Sequence, residues 1–124
     1  EQYFGVFEKY GIEPVMLITP STPAERIVEI DKLSDSFIYM VSSSSTTGAT
    51  KDFNSQNTDY FKRVADMKLK NPLLTGFGIS DKQSFDIATK YSRGGIIGSA
   101  FINALTANGQ LSDNIASFIK SIKQ

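Results

Sequence analysis

The chain has 124 residues, 13 basic against 13 acidic for a formal net charge of zero, and 40% hydrophobic residues. The charge balance argues against an electrostatic partnership with nucleic acid or an anionic membrane, while the apolar share suffices for a globular core. Cysteine and histidine do not occur, which excludes disulfides, thiolate metal sites and the commonest general base, and leaves acid–base chemistry to Asp, Glu, Lys or Tyr.

The elements follow in chain order. Tyr3, Phe4, Phe7 and Tyr10 recur at helical spacing within Gln2–Tyr10, and Gly11 ends that helix. Glu1 lies in what already reads as the middle of a helix, with no initiating Met and no capping residue, so the chain is expected to be a piece of something longer. Pro14–Thr19 is an apolar run of the kind a parallel sheet buries on both faces. Ser21 or Thr22 is expected to cap the next helix, with Pro23 at its first position. Ala24–Leu33 is amphipathic, with Ile27, Ile30 and Leu33 inward.

Ser36–Val41 reads as the second strand. Ser42–Asn57 is a long Ser-, Thr- and Gly-rich loop, of a length usually reserved for functional lids or disorder. Thr58 is expected to cap a helix running to about Leu69, with Phe61, Val64 and Met67 on one face. Pro72–Ser80 begins as a buried strand and closes on two glycines around Phe77. Ser80 is then expected to cap Lys82–Tyr91, whose apolar stripe is Phe85, Ile87, Ala88 and Tyr91. The fourth strand, Gly95–Gly98, runs into a short extra helix over Ser99–Thr106. Leu111–Ile122, capped by Ser112, closes the chain with Ile115, Phe118, Ile119 and Ile122 toward the core.

Strands alternating with helices define an α/β fold with a parallel sheet and right-handed crossovers. Four strands fit a small doubly wound domain or half of a (β/α)₈ barrel, which needs about 250 residues in full. Periodicity does not choose between them. The two glycine-rich strand ends, Gly76-Phe77-Gly78-Ile79-Ser80 and Gly98-Ser99-Ala100, each precede a helix, and free helix N–H groups beside glycine make a phosphate cradle without lysine or arginine. That is the arrangement after the last two strands of such a barrel.

Three loops together carry a family resemblance. Tyr39-Met40-Val41-Ser42 running into Ser44-Ser45-Thr46-Thr47-Gly48-Ala49 resembles the sixth strand and following loop of the tryptophan synthase alpha subunit. Gly76-Phe77-Gly78-Ile79-Ser80 resembles the end of its seventh strand, and Gly98-Ser99-Ala100 the end of its eighth. Order and spacing fit along essentially the whole chain. The departures are small: Ser43 stands where the family often has Arg, and Ser44-Ser45-Thr46 where it often has Ser-Gly-Val.

The resemblance implies half of a TIM barrel, strands five to eight, as a single incomplete domain over residues 1–124. It implies a lyase that cleaves indole-3-glycerol phosphate to indole and glyceraldehyde-3-phosphate in tryptophan biosynthesis, passing indole to a pyridoxal-phosphate beta subunit in an alpha2beta2 complex. No cofactor is expected in this chain, and the family's catalytic Glu and Asp lie in the half not represented. The chain alone is therefore expected to be inactive.

The implied phosphate site is Gly48, Gly78, Gly98 and Ser99. The implied indole pocket is Tyr39 and Phe77, with Leu17 and Ile96, and Thr47 belongs to the loop that closes over substrate. Alternation puts Phe37, Tyr39 and Val41 on one face of their strand and Leu73, Thr75 and Phe77 on one face of theirs. No bilayer-length apolar run and no signal peptide is visible, so a soluble cytoplasmic protein is expected. Asp31, Asp35, Asp52, Asp59, Asp66, Asp81, Asp86 and Asp113 are read as solvated or capping, and Arg93 as a stabilising residue on the bottom face. Two other readings stand beside this one: a non-catalytic phosphate-binding or self-associating half-barrel, whose open edges invite pairing, and another phosphate-binding barrel of the same pathway.

Overall fold

The structure, a computed structural model, describes residues 3–42, 55–76 and 78–124, with the backbone alone for 55–57. Helices α1 (Phe4–Lys9), α2 (Ala24–Leu33), α3 (Ser55–Asp66), α4 (Lys82–Thr89), α5 (Ser99–Leu105) and α6 (Leu111–Lys123) alternate with strands β1 (Met16–Ile18), β2 (Ile38–Val41), β3 (Leu73–Gly76) and β4 (Gly94–Ile96). The strands form one parallel sheet in the order β1-β2-β3-β4. Sequential order leaves β1 and β4 as the two edges.

The register defines two faces. Ile18, Met40, Thr75 and Gly95 lie level across the four strands, and so do Leu17, Tyr39, Leu74 and Gly94. The first set faces the helices. Ile18, Ile38 and Met40 are buried there with Ile27 and Ile30 of α2 and Tyr60, Phe61 and Val64 of α3. A side chain at Gly95 would meet the Phe85 ring of α4 and the Ile79 side chain, so glycine lets α4 lie close on β4. The second set faces away from the helices, and Leu17 is 57% exposed.

Several boundaries differ from the sequence reading. Helix α1 ends on a Schellman motif: Gly11 takes φ +63, and the N–H groups of Gly11 and Ile12 donate to the carbonyls of Glu8 and Phe7 at 3.1 and 2.9 Å. Pro23 is the N-cap of α2 rather than its first helical residue, while Thr22 Oγ1 accepts from the Thr19 N–H at 2.9 Å inside the preceding turn. Leu33 is not inward but 40% exposed, because it is the last residue of its helix. Helix α3 starts at Ser55, three residues before Thr58; Ser55, Gln56 and Asn57 add a turn with no apolar residue, so periodicity cannot register it.

Asp81, not Ser80, caps α4. Its Oδ1 accepts from the Ser84 N–H at 2.8 Å and Ser84 Oγ accepts from the Asp81 N–H at 3.2 Å, a reciprocal capping box. Those bonds from Ser84 hold the Asp81 carboxyl below the usual range. Ser112 lies inside α6, whose N-cap is Gln110, and Ile119 is 47% exposed where the heptad-like stripe predicted core.

The largest departure is Asp31. It is a buried residue near the C-terminal end of α2, not a solvated one. Its carboxylate accepts from the N–H groups of Lys70 and Asn71 at 2.8 and 2.9 Å and from the Asn71 amide at 2.9 Å. The same amide donates to the carbonyls of Asp31 and Ser34 at 2.7 and 2.8 Å. Burial pushes the Asp31 carboxyl upward, but the hydrogen bonds outweigh it and the net shift is downward. The network locks α2 to the turn that leads into β3.

Candidate functional site at the strand C-termini

In a parallel sheet all strands end on one side, and ligands bind there. On that side the described segments are the turn after β1, the end of β2 at Ser42, the end of β3 with Gly78, and the start of α5 at Gly98 and Ser99. Ser42 is buried, and both its N–H and its Oγ donate to the Gly76 carbonyl at 3.0 Å. It therefore belongs to the sheet end and not to the following loop. Ser43, Ser44, Ser45, Thr47, Gly48 and Phe77 lie outside the described residues.

Gly78 takes φ +74, a left-handed conformation that favours glycine. Gly98 is different. It is the N-cap of α5 with φ −104, and a side chain added there would meet no atom of the described residues within 4 Å. Among the described residues, neither strain nor packing requires a glycine at this position. Gly98 and Ser99 are exposed, and since β3 and β4 are neighbours the Gly78 and Gly98–Ser99 ends sit after adjacent strands.

Below this rim lies the face away from the helices. It brings together Leu17, Tyr39 and Ile96 from the expected pocket. It also carries Val41, Leu74 and Gly76, by the register Tyr39–Leu74 and Val41–Gly76–Ile96. Leu73 and Thr75, read as one face of their strand, lie on the opposite side of the sheet from Tyr39. Leu73 and Thr75 are buried on the helix side, and Thr75 Oγ1 donates to the Ala88 carbonyl of α4 at 3.3 Å. Leu73-Leu74 is apolar on both sides of the pleat, so sequence alternation could not fix the phase of β3.

The Tyr39 hydroxyl end covers Gly76, where a side chain would collide with it. Burial raises the Tyr39 phenol above its ordinary value. The two residues form one floor: a large aromatic on β2 over a position on β3 that has none. Gly76 was visible in the glycine motif, but only the register shows that it is the partner of Tyr39's space.

One further contact on this side escaped the sequence. Arg63 of α3 donates to the carbonyl of Pro20 at 3.1 Å and stacks near the Tyr60 ring, 5.6 Å from its centroid. It ties α3 to the turn after β1. No sequence signal links residues so far apart. Among the described residues no group of His, Cys, Asp or Glu is placed to hold a metal.

This is the sheet and loop plan of one half of a (β/α)₈ barrel, with its ligand side at the strand C-termini. The model of the tryptophan synthase alpha chain family matches residues 1–124. The tryptophan synthase alpha chain of Christiangramia forsetii is 51% identical over 123 residues, covering 99% of this chain and 47% of that relative. The one from Flavobacterium psychrophilum is 52% identical over 122 residues, covering 98% and 47%. Among solved structures, tryptophan synthase subunit alpha from Campylobacter jejuni superimposes with a TM-score of 0.76 at 27% identity, over 98% of this chain and 48% of that one. The Pyrococcus furiosus tryptophan synthase, described as an a2b2 complex, gives 0.78 at 26% identity, over 98% and 50%.

The chain belongs to the tryptophan synthase alpha chain family. It spans about half the length of the curated relatives it matches.

Proposed function

We propose that this chain is the phosphate-holding half of a lyase of the tryptophan synthase alpha type, acting in tryptophan biosynthesis. The full barrel cleaves indole-3-glycerol phosphate to indole and glyceraldehyde-3-phosphate. The observation that carries the reading is Gly98: an exposed glycine at a helix start, with neither backbone strain nor, among the described residues, a packed neighbour to explain it. A ligand that must approach the backbone supplies the reason.

In this reading the N–H groups at the start of α5 and the Ser99 hydroxyl hold the phosphate dianion, joined by Gly78 and, from the loop after β2, Gly48. Tyr39, Phe77, Leu17 and Ile96 offer apolar surface to the indole ring. Thr47 belongs to the segment that covers the substrate and excludes water. The proton transfers fall to a Glu and an Asp in the other half of the barrel. The described carboxylates sit on helices, caps or loops, and the buried one, Asp31, is committed to Lys70 and Asn71. The chain alone is therefore inactive. The partner is a beta subunit, as in the a2b2 complex of the Pyrococcus furiosus relative, and pyridoxal phosphate belongs to that partner. The compartment is the cytoplasm; none of the described helices is long and apolar enough to cross a membrane.

The test is a titration of glyceraldehyde-3-phosphate followed by amide NMR. Shifts centred on Gly78, Gly98 and Ser99 are expected, weakened several-fold by Gly98→Ala with the melting temperature unchanged. Saturating ligand that leaves those three amides unmoved would rule the phosphate site out. Turnover of indole-3-glycerol phosphate by the chain alone would show that its acid and base are here after all.

A second reading is favoured by a separate observation, the exposure of Leu17 on an apolar sheet face. In it the chain is a self-associating half-barrel.

A further inference from the structure

We propose that the cleft between the α3–β3 and α4–β4 turns binds a small organic phosphate, its charge held by Lys68, Lys70, Lys90 and Arg93 and its apolar part by Leu69 and Tyr91. The cleft lies at the end of the sheet where the strands begin, opposite the Gly78 and Gly98–Ser99 rim. The inference is independent of the phosphate site proposed at that rim.

The argument starts from charge. The chain as a whole is neutral, with 13 basic and 13 acidic residues. Yet the charged side chains that line this cleft of about 600 Å³ are all cations. Lys68 and Lys70 come from the turn before β3, Lys90 and Arg93 from the turn before β4, and those strands are neighbours. Of the four, only Lys70 has an ion pair among the described residues, with the exposed Asp35 at 3.0 Å. An exposed pair of that kind yields readily to a stronger anion. Like charges gathered around one cleft repel, and a multivalent anion turns that repulsion into attraction.

Helix dipoles account for part of the pattern. Helix α3 ends at Asp66 and α4 at Thr89, and cations just past a helix C-terminus are favoured. Two features lie outside that account. Lys68 takes φ +50, the one non-glycine with positive φ among the described residues. Glycine would adopt that conformation freely, so a lysine kept there points to work for its side chain. Arg93 stands beyond the last turn of α4, where the dipole has faded. A guanidinium takes two phosphate oxygens at once.

The frame is held before any ligand arrives. Asp31 and Asn71 pin the turn before β3. Ser92 Oγ donates to the carbonyls of Ala88 and Gly94 at 2.9 and 3.1 Å, and the Arg93 N–H donates to the Leu73 carbonyl at 2.9 Å, which joins the two turns. Leu69 and Tyr91 pack against the core and give the cleft an apolar floor. Fixed cations over an apolar floor suit a phosphate ester better than a bare inorganic ion.

The test is an amide NMR titration of the chain with phenyl phosphate and, separately, inorganic phosphate, at low salt to limit screening. In mildly alkaline buffer both probes are dianions, so any difference between them reads the apolar floor. Saturable shifts confined to Lys68–Asn71 and Lys90–Gly94 are expected, with phenyl phosphate binding several-fold tighter. Lys68→Gly removes a cation and gives the left-handed position the residue it suits. Its melting temperature should hold or rise while affinity for phenyl phosphate falls several-fold. Arg93→Gln should weaken binding similarly, and Lys120→Gln, on α6 and outside the cleft, should leave it unchanged. Equal affinity for the two probes overturns the organic ligand. Shifts spread over lysines throughout the chain, or unchanged binding in Lys68→Gly, overturn the site. Shifts at Gly78, Gly98 and Ser99 alone overturn it too while supporting the rim, and shifts at the cleft alone do the reverse.

Discussion

Leu17 and Ile18 are adjacent on one strand, equally apolar, and meet opposite fates. Ile18 is fully buried under α2 and α3, and Leu17 stands 57% exposed on the other face. The helix-covered face is completed by elements within a few dozen residues of each strand, since every βα unit brings its own cover. The other face carries Leu17, Tyr39, Leu74 and Ile96, and none of the described helices covers Leu17 there. The difference shows that burial on this sheet is decided by which face the βα helices cover, not by how apolar the side chain is.

The sharpest way to break that comparison is to truncate both neighbours. Ile18→Ala is expected to cost about 2–5 kcal/mol in denaturant unfolding, as buried large-to-small changes do. Leu17→Ala is expected to cost under about 0.5 kcal/mol in dilute chain, the range of surface substitutions, with a cost that grows with protein concentration. Equal costs at low concentration would mean the open face is already covered in a single copy.

Next in size is the polar lock on the covered side. Asn71→Ala removes the amide that serves Asp31 and Ser34 and is expected to cost about 1–3 kcal/mol. The lock also has a pH signature. Asp31 is depressed in the folded state, so its contribution is present above the ordinary carboxylate value near 4 and is lost as pH falls below it. Asp31→Asn should lower stability at neutral pH and flatten the acid limb of the stability curve below the ordinary carboxylate value near 4. An unchanged acid limb would assign that limb to other carboxylates.

On the open face, Gly76→Ala is expected to destabilise by about 1–3 kcal/mol through collision with the Tyr39 ring. Combined with Tyr39→Ala the penalty should largely vanish, a coupling that a double-mutant cycle reads directly. Additive costs would show that the strand, not the aromatic, rejects the side chain. The smallest expected effect is at the rim. Gly98→Ala should leave the unfolding free energy within about 0.5 kcal/mol, because no described residue lies within 4 Å of the added group. A large loss of stability there would make Gly98 structural and remove its value as a ligand marker.

The sequence by itself determined the alternation of elements, because apolar runs and helical stripes are local and repeat at fixed periods. It also marked Gly78 and Gly98–Ser99 as candidates, because a glycine-rich strand end followed by a helix is a local pattern, and the three loop motifs in register carried the family. It did not determine which side of β3 faces Tyr39, since Leu73-Leu74 is apolar on both. Only the pairing register decides that, through hydrogen bonds to strands more than thirty residues away in the chain. Nor could it reveal that Asp31 grips the Lys70–Asn71 turn, that Arg63 ties the turn after β1, or that Tyr39 occupies the side-chain space of Gly76. Each is a contact between residues far apart in sequence, and such contacts exist only once the sheet has brought their elements together.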